Sequence, residues 1–107
     1  MMEEKVKIRI KEELETAKRR LEAAKLLFEK DMIEDAVNRA YYAFFHAAKA
    51  MLNVLGYDAK THSGLISEFG LRIIKTDRHN IQRRSRDLIK NADEFLKKAK
   101  EFIEEKL

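Results

Sequence analysis

Apolar residues recur at spacings of three, four or seven along two long stretches of this chain, and that pattern is its strongest constraint on folding. The first stretch is Ile10, Leu14, Ala17, Leu21, Ala24 and Phe28, and the second is Ile81, Leu88, Ala92, Phe95, Ala99 and Phe102. Such residues share one face of an α-helix. The 107 residues include no proline and three glycines, and 59 of them are Ala, Glu, Lys, Leu or Arg, as in long helices. We predict an all-α fold in a single domain, residues 1–107.

Local signals place the first two helices. The first is predicted from about residue 3 to residue 28. Asp31 has the character of an N-cap, and Glu34 three residues later would complete a capping box for a second helix over about residues 32–55. Gly56 would end that helix in a left-handed conformation.

The second half of the chain has weaker signals. Thr61 or Ser63 could cap a short third helix that runs to about residue 75, and Asp77 or Asn80 could begin the last helix. Because the connections are short, successive helices should pack antiparallel. The expected architecture is an up-down bundle of three long helices and a short one.

Composition excludes several classes of protein. Without cysteine there is neither a disulfide framework nor a thiolate zinc site, and His46, His62 and His79 do not have metal-ligand spacing. We predict no metal and no cofactor. The longest apolar stretch, residues 40–48, is too short to cross a bilayer, and the N-terminus lacks the apolar core of a signal peptide. By elimination we expect a soluble, cytoplasmic protein.

The net charge of +4 is concentrated in one segment. Residues 72–90 carry seven basic and two acidic groups, whereas residues 1–71 are balanced. Arg83, Arg84 and Arg86 lie in this segment and could bind a nucleic-acid strand electrostatically. The alternative interpretation is a solvated helix face.

The second helix has an unusual outer surface. At about 100° per residue, the predicted core face comprises Ile33, Val37, Ala40, Phe44, Ala47, Met51 and Leu55. The opposite face carries Arg39, Tyr42, His46 and Asn53, together with Ala43 and Ala50, and has Phe45 at its edge. Aromatic and small residues on an outer face indicate that another surface covers them. We predict a homodimer whose interface contains Tyr42, Ala43, Phe45 and Ala50.

Arg39 and His46 are candidate catalytic residues on that outer face. They are seven positions apart, which is about two helical turns, so they share one side of the helix. An arginine fork and an imidazole suit phosphate chemistry, and Tyr42 between them could donate a hydrogen bond or stack on a base. Two alternatives remain open: His46 could be a hydrogen-bonded interface histidine, and Arg39 could pair with Asp35 one turn earlier.

Two segments resemble a known family. The stretch Asp35-Ala36-Val37-Asn38-Arg39-Ala40-Tyr41-Tyr42-Ala43-Phe44-Phe45-His46-Ala47 resembles the second helix of HEPN domains (higher eukaryote and prokaryote nucleotide-binding). The later stretch Lys60-Thr61-His62-Ser63-Gly64-Leu65-Ile66-Ser67-Glu68-Phe69-Gly70 is similar to the segment that follows in small stand-alone archaeal and bacterial members. The likeness covers about residues 14–75.

The resemblance implies an antiparallel helical bundle that dimerises. It also implies metal-independent RNA cleavage by an arginine and a histidine with four to six residues between them, often as the toxin of a toxin–antitoxin pair with a small nucleotidyltransferase partner. Arg39 and His46 have six residues between them. Some family toxins carry a tyrosine two residues after the histidine, which the partner modifies with AMP. That position is Ala48 here, which speaks against such regulation.

A second departure from the family is the connection over residues 75–83, which is short where relatives usually have another helix.

Our leading hypothesis is an RNase in which His46 acts as general base or acid and Arg39 binds the phosphate. The alternatives are a non-catalytic module that binds a nucleotide or a partner protein, and a purely structural dimer.

Overall fold

Three long helices form the described part of the chain. The structure is a computed structural model that describes residues 3–57 and 81–106, with the backbone alone at residues 81, 82 and 84. Helix α1 is Glu4–Glu29, α2 is Ile33–Val54 and α3 is Ile81–Lys106, and the described residues contain no strand. The all-α prediction is confirmed. The predicted short helix and the caps at Thr61, Ser63, Asp77 and Asn80 lie outside the described residues.

The apolar pattern of α1 and α3 accounts for their buried faces. In α1, Ile10, Ala17, Leu21 and Ala24 are buried, and Leu14 and Phe28 are partly buried, as predicted. In α3 the buried residues are Ser85, Ile89, Ala92, Leu96, Ala99 and Ile103. Ala92 and Ala99 were predicted, whereas Ile89, Leu96 and Ile103 each lie one residue after a predicted position. Leu88, Phe95 and Phe102 pack partly buried beside it.

The turn between α1 and α2 is short and closed by the backbone. Asp31 has a φ of 62°, and its N–H donates to the carbonyl of Phe28 at 3.0 Å, while that of Met32 donates to the carbonyl of Leu27 at 2.9 Å. These bonds form a Schellman motif that ends α1. The predicted capping box is therefore wrong: the N-cap of α2 is Met32, without a side-chain bond, because the left-handed conformation of Asp31 is incompatible with an N-cap.

The end of α2 repeats the same motif with a glycine. Gly56 has a φ of 84°, its N–H donates to the carbonyl of Asn53, and the N–H of Tyr57 donates to that of Leu52. The left-handed stop predicted at Gly56 is confirmed.

Contacts between the helices establish their directions. The tight turn makes α1 and α2 an antiparallel hairpin, as predicted. Ile10 near the start of α1, Ala50 near the end of α2 and Ile103 near the end of α3 share one apolar cluster. The guanidinium of Arg86 near the start of α3 lies 5.8 Å from the ring centroid of Phe28 at the end of α1. Helix α3 therefore runs parallel to α2, and the end of α2 and the start of α3 lie at opposite ends of the bundle.

Alanines form the centre of α2. Five of them are at most 1% exposed: Ala36, Ala40, Ala43, Ala47 and Ala50. Their spacings of four and three residues make a seam of small side chains, which allows a neighbouring helix to approach closely.

The buried face of α2 is wider than predicted. Ala43 and Ala50 are in the core, so their placement on the outer face is wrong, and Leu55, predicted to be buried, is 51% exposed. The physical reason is that α2 packs against both α1 and α3, whereas the prediction allowed for a single buried stripe. Among the described helices, none combines the length and apolar character needed to span a membrane.

Candidate functional site

His46 is held by a carboxylate from the neighbouring helix. Its Nδ1 lies 2.6 Å from Oε2 of Glu13 on α1, and the two side chains are 21% and 16% exposed. A carboxylate at this distance only accepts, so Nδ1 carries the hydrogen and donates it. Nε2 is then the ring nitrogen left to accept a proton, and it has no partner within residues 3–57 and 81–106. The contact fixes both the tautomer and the orientation of the imidazole.

Glu13 also contacts a second basic side chain. Nζ of Lys49, 25% exposed and one turn after His46, lies 3.3 Å from Oε1. Burial raises the pKa of Glu13, but the hydrogen bond from His46 and the positive charges of Lys49 and His46 outweigh burial, so this pKa lies below the ordinary value of a glutamate. Glu13 is therefore a stable carboxylate that bridges two basic side chains of α2.

Two aromatic rings of α2 lie next to the imidazole of His46. The ring of Phe45 is edge-on to the imidazole with a centroid distance of 5.4 Å, and the ring of Tyr42 lies 6.5 Å away. Tyr41, which is buried, packs edge-on to Tyr42 at 5.2 Å, and Nζ of Lys49 lies 5.3 Å from the centroid of Phe45. Tyr42 is 40% exposed, so a stacking surface borders the imidazole.

Arg39 is half-buried on the same side of α2, two turns before His46. The ion pair with Asp35 that the sequence left open is not formed, and Arg39 has no ion-pair partner in the described part of the chain. Its guanidinium is therefore available to an anion from outside this part of the protomer. Arg39 and His46 lie on one face, as predicted.

The predicted dimer interface is only partly at the surface. Tyr42 is exposed and Phe45 is half-buried, so both can contact another molecule. Ala43 at 1% and Ala50 at 0% exposure are already covered within the protomer and cannot line an interface.

The start of α3 lies toward the end of the bundle that holds the α1–α2 turn. Arg83 and Arg86 are exposed, and Arg86 lies over Phe28 beside the α1–α2 turn. The side chain of Arg84 lies outside the described residues. Helix α3 packs on α2 through a contact between Phe44 and Phe95, with ring centroids 4.5 Å apart. Because Phe44 is two residues from His46, that contact lies about 160° around α2 from the imidazole. One protomer therefore does not bring Arg83 or Arg86 to His46.

Glu13 was not among the residues predicted for the site. Its position in the sequence could have indicated this role. Glu13 directly precedes Leu14 of the apolar seam of α1, and a charged side chain that flanks a packed face can reach across to the next helix. Within the described ranges, no three His, Asp or Glu side chains are grouped so that they could hold a metal ion.

Comparisons with known proteins give a consistent result. The family model described as HEPN domain matches residues 10–84. A protein named "Putative toxin MJ0605" from Methanocaldococcus jannaschii is 49% identical over 61 residues, which is 57% of this chain and 46% of the relative. A second protein from that organism, "Putative toxin MJ0142", is 32% identical over 77% of this chain and 56% of its own length.

A relative in another archaeon has a less informative name. "UPF0332 protein PH1297" from Pyrococcus horikoshii is 39% identical over 63% of this chain and 47% of the relative. The chain thus spans about half the length of the curated relatives it matches. No solved structure matches it at a significant level.

The lowered pKa of Glu13 predicts a pH dependence of stability. A carboxyl whose pKa is lower in the folded than in the unfolded state stabilises the fold above its unfolded pKa of about 4.3, and this contribution is lost as the pH falls through the folded value. Glu13→Gln removes that titration. Thermal unfolding followed by circular dichroism from pH 6 to pH 3 should therefore show a shallower decline for Glu13→Gln than for the wild type.

The control for that experiment is Glu12→Gln, which removes the same charge from an exposed neighbouring position. It should retain the wild-type slope. Equal slopes for Glu13→Gln and the wild type would contradict the assignment of Glu13 as the carboxylate that holds His46.

Proposed function

This chain belongs to the HEPN domain family, and we propose that it is a toxin-type, metal-independent endoribonuclease that acts as a homodimer. Arg39 and His46 are its proposed catalytic residues. The proposal is supported by the family match, by the names of two relatives and by the geometry around His46. The single observation that carries it is the 2.6 Å contact between His46 and Glu13.

That contact supports a catalytic role because it prepares the imidazole for proton transfer. Glu13 takes the hydrogen of Nδ1, so the lone pair is on Nε2, and the negative charge of the carboxylate stabilises the imidazolium that forms when Nε2 accepts a proton. Glu13 is a positioning residue in this scheme, because it acts through His46.

The proposed reaction is transesterification of RNA. Nε2 of His46 takes the proton of a ribose 2′-hydroxyl, and the 2′-oxygen attacks the adjacent phosphorus. The bond from phosphorus to the 5′-oxygen breaks, and the imidazolium returns the proton to that oxygen. Arg39 binds the phosphate through its fork and stabilises the charge that grows on the non-bridging oxygens. The products are a 2′,3′-cyclic phosphate and a 5′-hydroxyl, so no metal-bound nucleophile is required.

Exposed aromatic surface supports the homodimer. Tyr42 and Phe45 lie next to each other with ring centroids 6.4 Å apart, and Tyr42 remains 40% exposed in the protomer. A two-fold axis through this patch would cover both rings and bring two copies of the Arg39/His46 face into one groove. This proposed interface omits Ala43 and Ala50.

We further propose a small nucleotidyltransferase as the protein that restrains the toxin. This part rests on the family resemblance and on the toxin names of two relatives. Because Ala48 occupies the position of the modified tyrosine, restraint would act through binding instead of AMP transfer to that side chain.

Cleavage is tested by incubating purified protein with single-stranded RNA in EDTA. The wild type should yield fragments that end in 2′,3′-cyclic phosphate, and His46→Ala should reduce the rate at least about 100-fold, as expected for the loss of a general acid–base residue. The control Asn91→Ala changes an exposed polar residue of α3 and should cleave at the wild-type rate. Undiminished cleavage by His46→Ala would remove His46 from the mechanism, and binding without cleavage would favour the non-catalytic module.

The dimer is tested by sedimentation equilibrium. The wild type should have twice the protomer mass, and Tyr42→Glu should sediment as a monomer because a desolvated charge would lie at the centre of the interface. Leu26→Glu places the same charge at a residue of α1 that is 56% exposed, and it should leave the dimer intact. A monomeric wild type would contradict the proposal.

The partner is tested by co-expression in a host whose growth the protein inhibits. We expect a nucleotidyltransferase gene beside the gene of this protein; its product should restore growth and co-purify with the protein, whereas an unrelated nucleotidyltransferase should do neither. Failure of the neighbouring gene product to bind would exclude it as the restraint.

A further inference from the structure

The register of the α1–α2 hairpin places two arginines opposite each other. Three observed pairs are separated by multiples of seven residues along each chain segment: Val6 and Asn53 line the same cleft, Glu13 accepts a hydrogen bond from His46, and the carbonyl of Leu27 accepts one from the N–H of Met32. The pair between the last two of these levels is Arg20 and Arg39. Because observed contacts bracket that level on both sides, the antiparallel geometry sets these two residues across one groove.

The charge at this level is not balanced. Arg20 and Arg39 are both half-buried, and neither has an ion-pair partner among residues 3–57 and 81–106. On this side of the two helices, Glu13 is occupied by His46 and Lys49, and Asp35, one turn before Arg39, is exposed. Two like charges that face each other without a carboxylate repel, and an anion between them would relieve the repulsion.

The direction of the side chains distinguishes the two arginines. Side chains of a helix lean toward its N-terminus. In the antiparallel hairpin, Arg20 therefore leans along α1 toward the level of Glu13 and His46, whereas Arg39 leans along α2 away from it. An anion between the two guanidiniums would therefore be contacted by Arg20 on the side of the imidazole and by Arg39 on the side of the turn.

We propose that Arg20 and Arg39 form a clamp across the α1–α2 groove that binds one phosphodiester of an RNA strand. Each guanidinium presents a planar fork that matches two phosphate oxygens. Arg20 binds the phosphate from the side of His46 and Arg39 from the side of the turn. This clamp rests on the proposed RNase function for its ligand, but its test measures binding and not cleavage.

The test uses a fluorescent single-stranded oligoribonucleotide in a His46→Ala background, which prevents cleavage, with anisotropy measured over a range of salt concentrations. Arg20→Ala and Arg39→Ala should each weaken binding about tenfold or more, because each loses a charged hydrogen-bonding fork. Loss of both residues should also reduce the slope of log affinity against log salt by about 0.7, as expected for one phosphate contact on a single strand. Because both residues bind the same phosphate, the double variant should lose less than the two single losses combined.

The matched control is Arg19→Ala. Arg19 is exposed, one residue from Arg20, and points about 100° away around α1, so its loss should leave affinity almost unchanged. Arg20→Lys retains the charge without the fork and should fall between the wild type and Arg20→Ala. Thermal unfolding of Arg20→Ala without RNA should be unchanged or shifted upward, because a repulsion is removed.

The outcomes separate this proposal from the RNase. If the wild type cleaves RNA but Arg20→Ala binds it as Arg19→Ala does, the clamp is wrong and the RNase stands. If Arg20→Ala weakens binding while the wild-type protein does not cleave RNA, the clamp stands and the RNase is wrong. If the protein binds no RNA, or if Arg20→Ala unfolds at a much lower temperature than the wild type, the clamp is also wrong.

Discussion

The close packing of α1 against α2 is the constraint on which the rest of the structure depends. Five buried alanines form the packing face of α2, and small side chains allow two helix backbones to approach closely. At such an approach, residues that flank the seam reach across the groove, as Glu13 reaches His46. With larger side chains in the seam, the same flanking residues would end in solvent. The contact between Glu13 and His46 therefore depends on the absence of large side chains along the centre of α2.

Charge along the groove is divided between two levels. At the level of Glu13, one carboxylate contacts two basic side chains: Oε2 contacts His46 and Oε1 contacts Lys49. At the level nearer the turn, Arg20 and Arg39 face each other without an acidic partner in the described part of the chain. A phosphate that binds at the second level would leave the first level intact. The electrostatics of the protomer therefore separate the holding of the imidazole from the binding of an anion.

Much of the fold could be predicted from the sequence, because α1 and the end of α2 follow local rules. The three- and four-residue spacing identified the buried face of α1, and Gly56 identified the end of α2. The errors at Ala43 and Ala50 came from geometry that one sequence does not contain. A helical projection assigns one buried stripe, but α2 contacts two helices, and small residues are equally compatible with the surface and the core.

Only those parts of the site that depend on the geometry of a single helix could be predicted. Arg39 and His46 share a face because helix geometry is regular. The ion pair between Arg39 and Asp35 is not formed, although the two residues have a favourable spacing. Glu13 was missed because its role depends on the register between two helices. That register is set by the turn at Asp31, which has a conformation that aspartate adopts only occasionally. Knowledge of that turn would have sufficed to align Glu13 with His46.

The turn at residues 30–32, which is closed by backbone hydrogen bonds, constrains how its length can change in evolution. One inserted residue there would displace α2 by about 1.5 Å and rotate it by about 100° relative to α1, so every facing pair along the groove would be reassigned together. Point substitutions alter one pair at a time and leave the alignment intact. Across descendants of such a protein, the length of this loop should drift far more slowly than the identity of the residues it aligns.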